Sequence, residues 1–579
     1  MNISCQWVMF AVLSVCCLMS CHDPSRAQSG VSFRSSVLVD QAGYRPDAAK
    51  FAFVKDPHGN TFKAIDVRTN KTALRGEIAH VGMIDGNTGD TTFTIDFSAL
   101  KAPGEYCIVL QDTAQRSEKF LIGDNVYTKA AKVSLQSFYY ERCGVAVNNG
   151  TQWNHPACHT APAHYFNDPA KTKDVSGGWH DAGDYNKFVP TTAVSAAFLL
   201  YLYEAYPGKF NDGDLNIPES HNGLPDLLDE ARWGLAWLLK MQREDGGVYH
   251  KVSIKNWTGE HLPQKESDTQ YIFDVSSTST GDFAAVTALG ARIFSRWDKA
   301  FAQTLLRASL KAWDFLRKNP AIVPAGGFRN PPGVEGGEYG DEQDADERLW
   351  AAAELYRTTG NPEYDHYFLS HYKDLGGANY TVGWQHVQNF AYYSYLMLPV
   401  DLHNYEAHSF IVGTMTHYCD VLLKRIQENG YRCVLMPDEY YWGSNSVIMG
   451  YAFDLINAYE TTKLKRYLDG ALDQLHYILG RNTFDISFVT GVGSNPVMHP
   501  YHQFSMLSGV HAPVPGMLVA GCNKYSRLRG RLLSEYPGRC YEDNAKNYFV
   551  NEPAINYTAP FAFVAGYCAL TTGNDTANH

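Results

Sequence analysis

The chain reads as a multidomain protein in which a β-sandwich precedes an all-α domain. Three observations predict this. At 579 residues it is too long for one ordinary domain. From Val31 to Gly123, short alternating apolar segments are separated by Gly, Asn, Asp and Pro, the spacing of strands and turns. After Asn125 the apolar period lengthens to i, i+3, i+4, i+7, the mark of amphipathic helices.

In chain order, residues 1–21 have the form of a lipoprotein export signal. Val8–Val15 is mostly apolar and too short to remain as a spanning helix. It runs into Leu18-Met19-Ser20-Cys21, which has the form of a bacterial lipobox. Cys21 is therefore expected to carry a lipid and to anchor the protein in the cell envelope of a Gram-negative bacterium, at the periplasmic face or the outer surface. The opening MNISCQW lacks the Lys or Arg usual in an export signal. Residues 22–30 form a linker, and 31–123 the sandwich, with strands at Ser36–Val39, Lys50–Val54, Thr91–Phe97 and Tyr106–Leu110. Residues 124–579 form the helical domain. The period predicts helices at Thr191–Tyr206, Leu224–Met241, Asp282–Trp297, Phe301–Lys318, Asp346–Thr359, Ser409–Glu428, Ser446–Thr462, Leu464–Leu479 and Thr558–Thr571, with no interleaved strands. The long loops Val252–Thr269 and Pro324–Gln343 are candidates for building a site at one end of the domain.

Composition narrows the partner. A net charge of −12 argues against nucleic acid or an anionic membrane surface. With 37 Tyr and 11 Trp, aromatic surface is left over after a core is built, and aromatic faces stack on the apolar faces of sugars. A neutral polysaccharide fits both facts. Nothing suggests an oligomer, so a monomer is expected.

The chemistry centres on Gly177-Gly178-Trp179-His180-Asp181-Ala182-Gly183-Asp184-Tyr185, which sets two carboxylates three residues apart in a glycine-rich turn. Far downstream, Asn551-Glu552 adds a third. A carboxylate pair and a remote acid are what glycosidic hydrolysis needs: a base to activate water and an acid to protonate the leaving oxygen. Such chemistry needs no cofactor. The plainer reading of Asp181 and Asp184 is a hydrogen-bonded turn around Ala182-Gly183. Cys143, Cys158, His159 and His180 form a second constellation, two thiols and two imidazoles suited to a closed tetrahedral zinc site. A Cys143–Cys158 disulfide is the rival in an exported protein.

The GGWHDAGDY run and Asn551-Glu552, together with Ile217–Gln242, Ser277–Val286, Asp346–Gly360 and Trp442–Ser446, resemble glycoside hydrolase family 9 over about Asn125 to Thr572. Val39–Val54 and Ala102–Tyr106 resemble the immunoglobulin-like domain that precedes many of its catalytic domains. The resemblance implies an (α/α)6 barrel and an inverting endo-β-1,4-glucanase acting on cellulose-like glucans, including mixed-linkage glucan or xyloglucan. By resemblance, Asp184 is the base, Glu552 the acid, and Asp181 a second holder of the water. The two reacting carboxyls of an inverting enzyme stand roughly 6.5–9.5 Å apart. Glu552 must stay protonated near neutral pH, which requires a partly desolvated or negatively charged setting.

The resemblance also implies a structural zinc at Cys143, Cys158, His159 and His180, and a calcium ion near Asp341, Asp346 and Glu347. The alternative for that acidic segment is a helix start whose carboxylates complement the dipole. Trp179, Tyr185, Trp442 and Tyr548 are expected to face sugar, with Tyr339 and Trp384 as further aromatic candidates. Asn551 is expected to orient the acid or touch substrate. One departure stands out. Where the family reads Pro-His-His-Arg, this chain has Pro500-Tyr501-His502-Gln503, keeping His502 as a substrate candidate but losing a bidentate cation. That change motivates a second reading, an exo-acting β-glucosidase or glucosaminidase on short oligosaccharides. A non-catalytic glycan-binding lipoprotein is the remote third.

Overall fold

The computed structural model describes residues 36–110, 115–528 and 530–571. The expected lipid site Cys21, its signal segment and the 22–30 linker lie outside these residues.

Among the described residues, nine strands build the first domain: β1 Val37–Leu38, β2 Gly43–Tyr44, β3 Phe51–Val54, β4 Thr61–Asp66, β5 Lys71–Glu77, β6 Met83–Ile84, β7 Thr91–Asp96, β8 Gly104–Leu110 and β9 Phe120–Ile122. They form two sheets, β1-β3-β7-β6 and β2-β9-β8-β4-β5. Alternate residues of each sheet face inward. Ala52 and Val54 of one sheet meet Phe62, Ala64, Ile108 and Phe120 of the other in a single apolar cluster.

The helical domain comprises α1 Thr128–Tyr140, α2 Val189–Ala205, α3 Asp226–Met241, α4 Ser277–Phe294, α5 Lys299–Lys318, α6 Ala345–Thr359, α7 Pro362–His371, α8 Gln388–Leu396, α9 Tyr405–Glu428, α10 Ser444–Thr462, α11 Lys465–Ile478, the short α12 Gln503–Leu507 and α13 Tyr548–Asn551, and α14 Ile555–Leu570. Contacts run α2–α4–α6–α8–α10–α14 and back to α2, which closes an inner ring of six. The helices between them in sequence lie outside, so the chain alternates between an inner and an outer ring. This is an (α/α)6 barrel. Helix α2 shows the reason: fifteen of its seventeen residues are buried, so it is apolar all round and needs neighbours on every side. Helix α5 buries one stripe, Ala302, Leu305, Ala308, Ala312 and Leu316, and stays outside.

The sequence period located nine of these helices. Helices α1, α7, α8, α12 and α13 went unpredicted, the last four because they are only 10, 9, 5 and 4 residues long. The expectation of no interleaved strands also needs correction. A five-stranded sheet of short segments, Ala163–Tyr165, Asp168–Lys173, Lys187–Phe188, Lys251–Ser253 and Tyr271–Ile272, binds the long loops together. Segments of two to six residues carry too little alternation to register as strands.

The sandwich packs on the barrel through buried polar contacts. Gln41 N–H donates to the Leu479 carbonyl (2.9 Å), and Asp40 meets His476 Nδ1 at 2.7 Å. Asp90 accepts from the Tyr431 hydroxyl (2.5 Å) and the Thr483 hydroxyl (2.7 Å), and also pairs with Arg539.

Candidate active site

Two segments far apart in sequence are stitched together at one end of the barrel. Gly183 N–H donates to Glu552 Oε1 at 3.2 Å, and Ile555 N–H donates to the Asp181 carbonyl at 2.8 Å. Glycine is required at 183, because a Cβ there would collide with the Tyr501 carbonyl oxygen and lie 3.1 Å from Glu552 Oε1. The aspartate turn can therefore approach the glutamate only without a side chain at that point.

Asp181, Asp184 and Glu552 all line one groove of about 920 Å³. Asp184 and Glu552 are partly open to it, whereas Asp181 is buried. Asp184 is held by Asn186, whose side-chain amide donates to Oδ2 (2.7 Å) and whose backbone N–H donates to Oδ1 (3.1 Å). Asp181 accepts from the Thr191 and Tyr339 hydroxyls, the latter at 2.7 Å. Burial pushes Asp181 up to about 7, against the pull of these two donors. Burial likewise raises Asp184, opposed by the Asn186 donors. Glu552 is held well above the usual carboxylate range by loss of water and by the adjacent Asp184 charge. A protonated acid and a carboxylate base across one groove can protonate a leaving oxygen and activate water.

Aromatic rings line the same groove. Trp442 and Tyr548 do so as expected, with centroids 5.6 Å apart, and so do Tyr339 and Trp384 at 5.1 Å. The structure corrects three other expectations and decides between the two held for Asn551. Trp179 is fully buried, packs on Phe138 and donates from Nε1 to Glu230 at 2.7 Å, so it belongs to the core beneath the motif. Tyr185 is buried with its hydroxyl on the His261 carbonyl. His502 is also buried, with Nε2 3.1 Å from Glu141 and Nδ1 2.8 Å from Ser505 Oγ. Asn551 points away from the groove, holding Tyr541, His499 and Asp543, so it braces the segment carrying Glu552. Alternation along a turn cannot be read from motif position alone, which is why neighbours of the acids were placed in the groove. Groove residues missed from sequence include Trp257, Glu260, Tyr501 and Tyr557. The length of the Val252–Thr269 loop was the available signal for the first two.

Behind the aspartate turn, Cys143, Cys158, His159 and His180 bring one ligand atom each to within 4.8 Å of one another. His159 Nδ1 is buried without a hydrogen-bond partner, while its Nε2 is 2.8 Å from Glu266. A carboxylate on the outer nitrogen and a bare inner nitrogen are what a metal-bound imidazole requires. The chain can thus hold a metal ion here, one residue from Asp181.

The predicted acidic segment is also a cluster. Asp346 and Glu347 sit in the first turn of α6, as a dipole-complementing start would have them. Yet both are buried, and the charges of Asp341, Asp346 and Glu347 meet Asp282 of α4, which sequence reasoning passed over. Both Asp282 oxygens and Glu347 Oε2 are buried without hydrogen-bond partners. Oxygens left so are costly without a cation or a proton. The signal was the single acidic residue in the helix Ser277–Phe294, set just before the apolar run Phe283–Val286.

The profile of Glycosyl hydrolase family 9 matches residues 127–565, and that of the cellulase N-terminal ig-like domain matches residues 32–115. Endoglucanase D of Acetivibrio thermocellus is 33% identical over 92% of this chain and 84% of its own length. A xyloglucan-specific endo-β-1,4-glucanase of Bacteroides ovatus is 30% identical over 92% of this chain and 93% of its own. Among solved structures, a Zn-binding triple mutant of the GH family 9 endoglucanase J30 superposes with a TM-score of 0.86 at 35% identity, covering 91% of this chain and 99% of that one.

Proposed function

This chain belongs to glycosyl hydrolase family 9, and from that premise we propose that it is an inverting endo-β-1,4-glucanase of cellulose-like β-glucans. The observation that carries the reading is the Gly183–Glu552 hydrogen bond, which sets the aspartate turn and the late glutamate against one groove. Asp184, oriented by both donors of Asn186, takes the proton of the attacking water. Asp181, anchored by Thr191 and Tyr339, holds the other side of that water and keeps the field negative. Glu552 gives its proton to the departing sugar oxygen. Trp442, Tyr548, Tyr339 and Trp384 offer faces to the pyranose rings.

Mixed-linkage glucan and xyloglucan are within the proposed substrate range, the latter named for the Bacteroides ovatus relative. The exo-acting reading keeps one supporting observation: the side chain at 503 carries no charge and turns to His261. A rapid fall in viscosity of soluble glucan, ahead of the rise in reducing ends, supports endo attack. Release of a single short product at constant viscosity replaces it with the exo reading. Glucan bound but left uncut at every pH tested refutes both.

Zinc is the proposed occupant of the Cys143, Cys158, His159, His180 site, where two thiolates and two imidazoles suit its tetrahedral preference. It would pin the loop bearing Asp181 and take no part in the chemistry. Calcium is proposed for Asp282, Asp341, Asp346 and Glu347, all oxygen donors fit for a hard cation. We further propose export with a lipid on Cys21 in a Gram-negative envelope, and a monomeric catalytic unit. The lipobox supports the first, and metabolic labelling with a fatty acid that a Cys21→Ala variant fails to take up is its test.

A further inference from the structure

The segment 255–261 crosses one side of the groove and is pinned at nearly every turn. At its root, Ile254 N–H donates to Asn186 Oδ1 (3.1 Å), the same side chain that orients Asp184. Lys255 and Trp257 are tied to Glu335, through the Lys255 carbonyl (2.8 Å) and the Trp257 N–H on Glu335 Oε2 (2.8 Å). At its far end both backbone groups of His261 are taken. The N–H donates to Gln503 Oε1 at 2.7 Å, and the carbonyl accepts from the Tyr185 hydroxyl at 2.6 Å. Gln503 is itself fully buried, with its backbone N–H on the Gly183 carbonyl at 3.0 Å. Between the two anchors the segment presents two side chains to the groove, Trp257, which is 42% exposed, and Glu260, whose charge acts on the Tyr501 hydroxyl beside Glu552.

A ring left 42% exposed on a backbone so tightly fixed lacks a partner rather than a place. We propose, on the glucanase reading above, that residues 255–261 form a sugar-binding wall that Gln503 holds in position, with Trp257 as stacking platform and Glu260 as hydroxyl acceptor. Gln503 then acts as a positioning residue. Its oxygen accepts from the loop instead of facing a sugar, and the polar contact with substrate passes to Glu260.

The test is calorimetric titration of cellotetraose into the full chain carrying Glu552→Gln, so that affinity is read without hydrolysis. Trp257→Ala should weaken binding about tenfold, the usual consequence of removing an aromatic anchor. Gln503→Leu, which deletes the acceptor for His261, should weaken it by a similar factor. The double variant should lose at most about twofold more than either alone, since both act through one wall. Gln503→Glu keeps the acceptor oxygen and should restore affinity to within about twofold of Gln503. Unchanged affinity in Gln503→Leu, or losses that multiply in the double variant, overturns the proposal. If Gln503→Leu fails to fold, unchanged affinity in the exposed-site variant Trp257→Ala overturns it alone. Glucan left uncut by the unmutated chain refutes the activity without touching the wall, whereas normal hydrolysis with these affinities unaltered refutes the wall alone.

Discussion

Glu552→Gln separates proton donation from every other duty of that side chain. The amide is nearly isosteric and keeps an oxygen for the Gly183 N–H now 3.2 Å away. It also removes a carboxyl whose ionisation is opposed by burial and by Asp184 and Asp181. Folding should therefore be unharmed, with a melting temperature equal to or above that of the parent. What disappears is the proton. General acid catalysis contributes typically about 10²–10⁴-fold, equivalent to about 2.7–5.4 kcal/mol of barrier. Initial rates should be measured on soluble β-glucan, by reducing ends, and on dinitrophenyl β-cellobioside, whose phenolate departs without protonation. We expect a loss of about 10³-fold on the polymer and less than about tenfold on the aryl glycoside. A loss under tenfold on glucan, or equal losses on both substrates in a folded variant, would refute the assignment of Glu552 as the acid.

Further outcomes follow from the same geometry. The rate on glucan should be bell-shaped in pH. Its acid limb arises as Asp184, raised by burial, takes up a proton and ceases to be a base; its alkaline limb arises as Glu552, held high, loses its own, and Glu552→Gln should abolish that limb in the residual activity. Asp184→Asn should depress aryl glycoside and polymer alike by about 10²-fold or more, because both need the activated water, and a loss confined to the polymer would contradict it. Arg142 lies buried between Glu230 (2.9 Å) and Glu219 (2.9 Å), so Arg142→Met should cost about 3–5 kcal/mol in denaturant unfolding by stranding Glu230, and a cost below about 1 kcal/mol would contradict this account. Cys143→Ser should lower the zinc content measured by mass spectrometry from about one ion per chain and lower the melting temperature by several degrees, with the larger drop in kcat than in KM expected of a loop that carries Asp181.

The aspartate turn, the late glutamate and the cluster of two thiols and two imidazoles were all legible in the chain, since each depends on residue identity at fixed spacing. So was the split between sandwich and helices, because period two and period 3.6 differ over stretches of ten or more residues. Inner and outer rings were not separable in this way. Helix α2 is apolar on every face, and only closure against α4 and α14 decides which neighbours cover it.

Around the site the same boundary holds. The motif named Trp179 and Tyr185, but the folded turn buries their rings in the core and sets the carboxylates of Asp181 and Asp184 along the groove. The substitution at 503 could be read as a missing charge; that its oxygen instead grips His261 depends on a loop and the start of α12, more than 200 residues apart in sequence, meeting at 2.7 Å. Asp282 joins the acidic cluster because α4 and α6 approach so closely that a Cβ on Gly281 would lie 2.5 Å from that of Glu347. Local chemistry and periodicity are written residue by residue, whereas which side chain faces solvent, metal or substrate is set by packing between segments that the sequence keeps far apart.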